Sequence, residues 1–124
     1  MDTIFLIGRI IFGGYFIYNG VNHVFHYKNL TGYAKMKGVP AASFSVVLSG
    51  IIMLLGGLSV LLNIRMILGF WLIVLFLVPT TFIMHAFWKE KDPSAKMNET
   101  IAFTKNMALI GASLMMIASV FVSF

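Results

Sequence analysis

Residues 44–85 read FSVVLSGIIMLLGGLSVLLNIRMILGFWLIVLFLVPTTFIMH. Read as one helix, the stretch would leave Arg65 in the middle of a very long apolar rod. Read with a break at Asn63–Arg65, it becomes two apolar runs, 44–62 and 66–85, joined by a very short turn. A membrane-crossing helix needs about 20 residues. Each run has that length, so the stretch is an antiparallel helical hairpin with Arg65 at its tip.

Two further runs of the same kind flank the hairpin. One covers about 3–22, with Arg9 near its start, and the other about 101–124. None shows the period-two alternation of barrel strands. Backbone in lipid must satisfy its own hydrogen bonds, so these runs are helices. The expected architecture is all-α: a four-helix integral membrane bundle in a single domain over 1–124, with no internal repeat.

Composition agrees. Of the 124 residues, 60% are hydrophobic and only 10% charged, against about 25% charged in soluble domains. A chain this short cannot bury so much apolar surface in a core of its own. The excess faces lipid. The net charge of +5 then reports topology and not nucleic-acid binding, because the basic residues sit mainly in two connecting segments. Without cysteine there is no disulfide, thiolate metal site or thiol relay. Met1-Asp2-Thr3 is no basic leader, and no small-residue cleavage site follows the first run, so that run is expected to be retained.

The segment HYKNLTGYAKMKGVPAAS, residues 26–43, exceeds a tight turn. Tyr27, Leu30, Tyr33, Ala34 and Met36 fall along one helical face, which predicts a short interfacial helix. Gly38 would end it and Pro40 would lead into the second span. The segment KEKDPSAKMNET, 89–100, reads as a solvated loop with Asn98 or Thr100 capping the fourth span. Lys28, Lys35 and Lys37 follow span one; Lys89, Lys91 and Lys96 follow span three. The positive-inside rule puts both longer loops in the cytoplasm and both termini outside, with Arg9 and Arg65 on the opposite side.

Connectivity alone gathers the polar residues. The ends of spans one and three, and the starts of spans two and four, share one membrane face. That face receives Asn19, Asn22, His23 and His26, Ser45 and Ser49, Thr80, Thr81 and His85, and Thr104, Lys105 and Asn106. Asn19, Asn22, His23 and His26 are spaced i, i+3, i+4, i+7, one stripe of one helix. Polar groups in a span face the bundle interior or a water-filled cavity. Asn19, Asn22, His23, His85 and Asn106 are therefore the candidate ligand-binding residues. Pro79 cannot donate to the Leu75 carbonyl and could bend span three.

Each feature also has a structural reading. An intramembrane amide can be helix–helix glue worth about 0.6 kcal/mol. His23 and His26 could be wet at headgroup level, and His85-Ala86-Phe87-Trp88 contains an aromatic pair suited to an interfacial belt. Gly13-Gly14, Gly56-Gly57 and the Ala108/Ala112 pair are expected packing surfaces. Histidines on facing helices, such as His23 and His85, could ligate haem. A metal on His23, His26 and His85 would lack a carboxylate partner. Asp2 and Asp92 lie at the terminus or in a loop, so no Ser-His-Asp arrangement forms. Proton-coupled transport is disfavoured because no acid falls inside an expected span.

GRIIFGGYFIYNGVNHV (8–24), GYAKMKGVPAASFSVVLSGIIMLLGGLSVLL (32–62) and FTKNMALIGASLMM (103–116) resemble, in order and spacing, the DoxX family of small four-helix membrane proteins. The carrying features are Gly8-Arg9, Asn19-Gly20 with His23, Gly38-Val39-Pro40, Leu55-Gly56-Gly57 and Lys105-Asn106. The family is named for a subunit associated with thiosulfate:quinone oxidoreductase. The resemblance implies a multi-pass protein of the bacterial inner membrane, an accessory subunit of a membrane oxidoreductase system that handles a non-covalent quinone. Many relatives carry Glu just before the Leu-Gly-Gly of span two; Met53 or a neighbour stands there here. The chain has no redox-active residue pair, so electrons would come from a cytoplasmic or membrane redox partner, and the chain could form a homo-oligomer. The other expectations are a non-catalytic scaffold, a lipid- or small-molecule-binding bundle, or a small permease.

Overall fold

The computed structural model describes residues 1–121. The described residues form five α-helices: α1 (Asp2–Phe25), α2 (Tyr27–Met36), α3 (Ala42–Leu62), α4 (Met66–Met84) and α5 (Pro93–Ala118). Short 3-10 turns follow at Phe87–Lys89 and Ser119–Phe121. No strand occurs among the described residues. Four of the helical stretches are long and apolar enough to cross a membrane; α2 is the expected short connecting helix. The expected end of span four at Phe124 lies outside the described residues.

The hairpin tip forms as its residues require. Asn63 adopts a left-handed conformation at φ 56°, the Ile64 amide donates to the Ser59 carbonyl at 3.0 Å, and Asn63 N–H reaches the Val60 carbonyl. This pair of bonds closes the end of α3 in a Schellman-type turn that asparagine tolerates. The Ser59 hydroxyl donates to the Arg65 carbonyl at 2.9 Å. On the facing helix, Arg9 donates to the Val60 and Leu61 carbonyls, the latter at 2.8 Å. A cation there satisfies the Leu61 carbonyl, which the helix C-terminus leaves open, and adds a second donor to Val60. Arg9 is thus a cap on α3.

Two sequence boundaries are corrected. α1 continues to Phe25, past Asn22. α5 begins at Pro93, well before residue 101, so the expected loop is helical from Pro93 onward. The cap is Asp92, whose carboxylate accepts from the Ala95 amide at 3.0 Å, with Pro93 in the first turn. Neither Asn98 nor Thr100 caps: both lie inside the helix, and the Thr100 hydroxyl bonds back to the Lys96 carbonyl. An aspartate before proline is a strong start signal, because the carboxylate fills an open N–H and proline has none to leave unpaired. Asp92→Ala is expected to cost about 1 kcal/mol, measured as a lower unfolding midpoint in detergent with unchanged helix content.

The helices pack in the order α1–α3–α4–α5, with α2 lying on α3, and no packed seam joins α1 to α5. The α1–α3 crossing is the tightest contact. Gly13 faces Gly57, and Gly20 faces Gly50; a methyl group at Gly20 would lie 2.7 Å from the Gly50 carbonyl oxygen. Gly56 turns the other way, against Gly69 and Ile73 of α4, so Gly56-Gly57 brings α3 close to both neighbours. This suits a membrane, where small residues and close packing drive association. Gly14 meets nothing within 4 Å, and Ala108 and Ala112 are exposed. They are not packing surfaces within this chain. Phe16, Met53, Val60, Phe70, Ile73, Leu77, Ile110 and Ile117 form the apolar core.

Candidate functional site

The polar end of the bundle encloses a cavity of about 480 Å³, within the range of small-molecule sites. Its walls are mostly apolar and include Phe16, Ile52, Met53, Phe76 and Leu77. Asn19, His23, His85 and Asn106 line it, as do Ser45, Ser49, Thr80, Tyr15 and Lys105. Asn22 does not line it; its carbonyl receives the His26 amide where α1 ends. His26 is exposed at the α1–α2 junction. Met53 is fully buried in the cavity wall.

Local bonds decide what each polar group can offer. Asn19 donates its amide to the Tyr15 carbonyl at 2.8 Å, which leaves its side-chain oxygen. His23 Nδ1 lies 2.9 Å from the Asn19 carbonyl. A carbonyl only accepts, so Nδ1 carries the proton and Nε2 of the neutral ring is an acceptor. His23 therefore accepts from a ligand hydroxyl. Asn106 is 5% exposed and retains its carboxamide N–H groups as donors, seven residues from Glu99 and seven from Ser113 on the buried face of α5.

Lys105 crosses the gap between α1 and α5. Its ammonium donates to the Tyr15 hydroxyl at 2.9 Å and sits 5.5 Å from that ring's centre. With no packed seam between these helices, this bridge spans the gap at the edge of the cavity. The proline ring of Pro79 removes a backbone donor in the cavity wall. The adjacent Thr81 hydroxyl is fully buried without a hydrogen-bond partner among the described residues.

Below the cavity lies a charged cluster that sequence reasoning missed. Glu99 is 9% exposed. Its Oε1 accepts from the Tyr33 hydroxyl at 3.3 Å; its Oε2 lies 3.4 Å from Lys37 Nζ and 3.3 Å from His85 Nδ1. Lys37 also reaches Glu90 at 2.8 Å. The expected span from residue 101 holds no acid; α5 starts earlier, at Pro93, and brings Glu99 to its edge. The signal was available: with Asp92-Pro93 as the start, Glu99, Asn106 and Ser113 repeat every seven residues on one face. α5, at 26 residues, is about 39 Å long, roughly 9 Å more than the hydrocarbon layer. Glu99 falls in that excess, at the boundary.

The hydrogen bond to Glu90, then the charge interactions with Tyr33 and Glu99, outweigh burial and hold the Lys37 ammonium above its ordinary value of 10.5. Burial, then the Glu99 charge, raises the Tyr33 phenol above 10.0. Both groups prefer their protonated forms in the fold. Their contribution is fully present below the ordinary values and is lost as pH rises through the raised ones. The stability difference between the wild type and Lys37→Met is therefore expected to stay constant from pH 7 to about 10 and to shrink only above that range. Thermal unfolding in detergent across pH 7–11.5 measures it; shrinkage between pH 7 and 9 would contradict the assignment.

A family model described as DoxX matches residues 4–86, about two-thirds of the chain. It spans α1 to α4 and ends beside His85, leaving Glu99 and Asn106 of α5 beyond the match. No curated protein and no solved structure matches the chain. Four membrane-length helices in the expected order, together with a match over the first three spans, make this chain a member of the DoxX family.

Proposed function

We propose that this DoxX protein binds the head of a quinone or its hydroquinone in the cavity at the polar end of the bundle. It would serve there as an accessory subunit of a membrane oxidoreductase system in the bacterial inner membrane. The observation that carries the reading is the cavity itself: apolar walls, a few convergent polar groups, and an edge between α1 and α5 spanned by the Lys105–Tyr15 bridge. A lipid-soluble ring would reach such a site from the bilayer. Asn106 would donate to a ligand oxygen, and His23 Nε2 would accept from a hydroxyl. His85 and the Asn19 side-chain oxygen would complete the polar set. Asn22 stands outside it. Electrons would pass to or from a partner, since the chain has no cofactor motif.

Equilibrium binding of decyl-hydroquinone to protein in nanodiscs tests this. Asn106→Leu removes one buried hydrogen bond and fills space, so about tenfold weaker binding is expected. Wild-type protein without measurable binding, or Asn106→Leu binding equally well, would refute the reading. A scaffold or lipid-binding bundle is the second reading. It is favoured by the bonds that Asn19 and His23 make within their own helix, and a protein carrying only bulk phospholipid would support it.

The same proposal places the 26–43 and 85–92 segments in the cytoplasm and the Asn63–Arg65 tip outside, by the distribution of lysines. The chain lacks cysteine, which makes single-cysteine labelling clean. In intact cells, Asn63→Cys is expected to react with a membrane-impermeant maleimide, and Lys91→Cys only after lysis. The reverse pattern would invert the topology.

A further inference from the structure

His85 and Glu99 stand on opposite sides of a thin partition. His85 lines the large cavity; Glu99 lines a separate hollow of about 400 Å³ beside Lys37 and Glu90. The two residues touch, with His85 Nδ1 3.3 Å from Glu99 Oε2. Tyr33 lines both hollows and donates to the other Glu99 oxygen at 3.3 Å. A contact that served only to tie the segment after α4 onto α5 would not need one titratable partner on each hollow.

We propose that His85 and Glu99 form a proton relay between a hydroxyl-bearing aromatic ligand in the cavity and water in the outer hollow. The proposal rests on the reading of the cavity as a quinone or hydroquinone site. As the ligand O–H bond breaks, its proton bonds to His85 Nε2 and the electron pair stays on the ligand oxygen. His85 Nδ1–H then breaks, and that proton bonds to Glu99 Oε2. Glu99 releases it to water. One proton enters and one leaves, no electron moves, and the ligand becomes an aryloxide facing the Lys105 ammonium; His85 is left as the Nε2–H tautomer, and proton exchange with water restores Nδ1–H before the next transfer. The groups facing Glu99 are Tyr33 and Lys37 from α2 and its end, His85 after α4, and Glu90 through Lys37. Tyr33 holds the carboxylate in place. Lys37 faces the charge it carries between transfers. Carboxylate–imidazole pairs of this kind fix the ring tautomer.

The test uses 4-nitrophenol, whose ionisation is visible by absorbance, with full-length protein in nanodiscs and a pH dye in the bulk. Glu99→Gln retains an acceptor for Tyr33 and cannot take a proton. It is expected to bind 4-nitrophenol within about twofold of wild type while proton release after mixing slows about a hundredfold, within the range of a positioned acid–base group. Release at the wild-type rate in Glu99→Gln would overturn the relay and leave the cavity reading standing. Wild-type protein that binds neither 4-nitrophenol nor decyl-hydroquinone would overturn both. Nitrogen NMR of the wild-type histidines is an independent check that needs no variant to fold: neutral His85 is expected as the Nδ1–H tautomer, and the Nε2–H tautomer would overturn the relay.

Discussion

Gly20→Ala is expected to destabilise the bundle by about 2 kcal/mol, the middle of the overpacking range, although alanine is the better helix former. The added methyl group would stand 2.7 Å from the Gly50 oxygen, 2.8 Å from the Leu54 nitrogen and 3.2 Å from the Leu54 Cα. All three are backbone atoms of α3, so no side chain can swing aside. α1 and α3 would have to separate along their length. The same shift would carry Asn19 and His23 away from the cavity, so ligand binding should weaken along with stability. Gly8→Ala and Gly111→Ala are the controls, because neither methyl group meets anything within 4 Å. Those substitutions should be neutral or stabilise by about 0.5–1 kcal/mol, since alanine loses less backbone entropy. Unfolding by SDS titration in mixed micelles compares the three. A Gly20→Ala protein as stable as Gly8→Ala would mean that α1 and α3 do not meet at this distance.

That contrast marks what the sequence could and could not say. Glycine pairs were visible as packing candidates, and Gly13, Gly56 and Gly57 take that role. Gly14 does not, and Gly20 and Gly50 were not singled out. Which glycine faces a partner depends on the rotation of each helix, and a mostly apolar helix carries little pattern to fix it. α4 is apolar nearly all round, so its buried face of Gly69, Phe70, Ile73, Leu77 and Thr81 could not be read from periodicity. The polar residues were far more legible. Charge and amide placement is costly in lipid, so connectivity alone carried Asn19, His23, His85 and Asn106 to one end, where they line one cavity. Asn22 lies outside the cavity lining, within α1, which runs on to Phe25. Glu99 was hidden by a boundary error: treating 89–100 as loop discarded the Asp92-Pro93 start, and with it the heptad that links Glu99 to Asn106.

The Lys37–Glu99–Glu90 cluster should behave as a unit, and Lys37→Met is the substitution that shows it. The lysine serves two carboxylates, and its own side chain is 17% exposed, against 12% for Glu99 and 27% for Glu90. Removing it leaves two negative charges near one another at the membrane boundary without their shared cation. Breaking a fully buried pair costs about 3–5 kcal/mol, and an exposed one under about 1 kcal/mol. This cluster lies between those limits, so a loss of about 2 kcal/mol is expected. Glu99→Gln should cost less, because Lys37 keeps Glu90 at 2.8 Å and the amide still accepts from Tyr33. The double variant decides the matter. With Glu99 already neutral, Lys37→Met strands only Glu90, the more exposed of the two acids. The double variant should therefore be more stable than the sum of the single effects predicts by about 1 kcal/mol. SDS-titration midpoints for the four proteins give the coupling directly. Strict additivity would show that Lys37 acts through Glu90 alone and that the 3.4 Å approach to Glu99 carries no energy. Glu99 would then hold its place through Tyr33 and His85, which tie α5 to α2 and to the segment after α4.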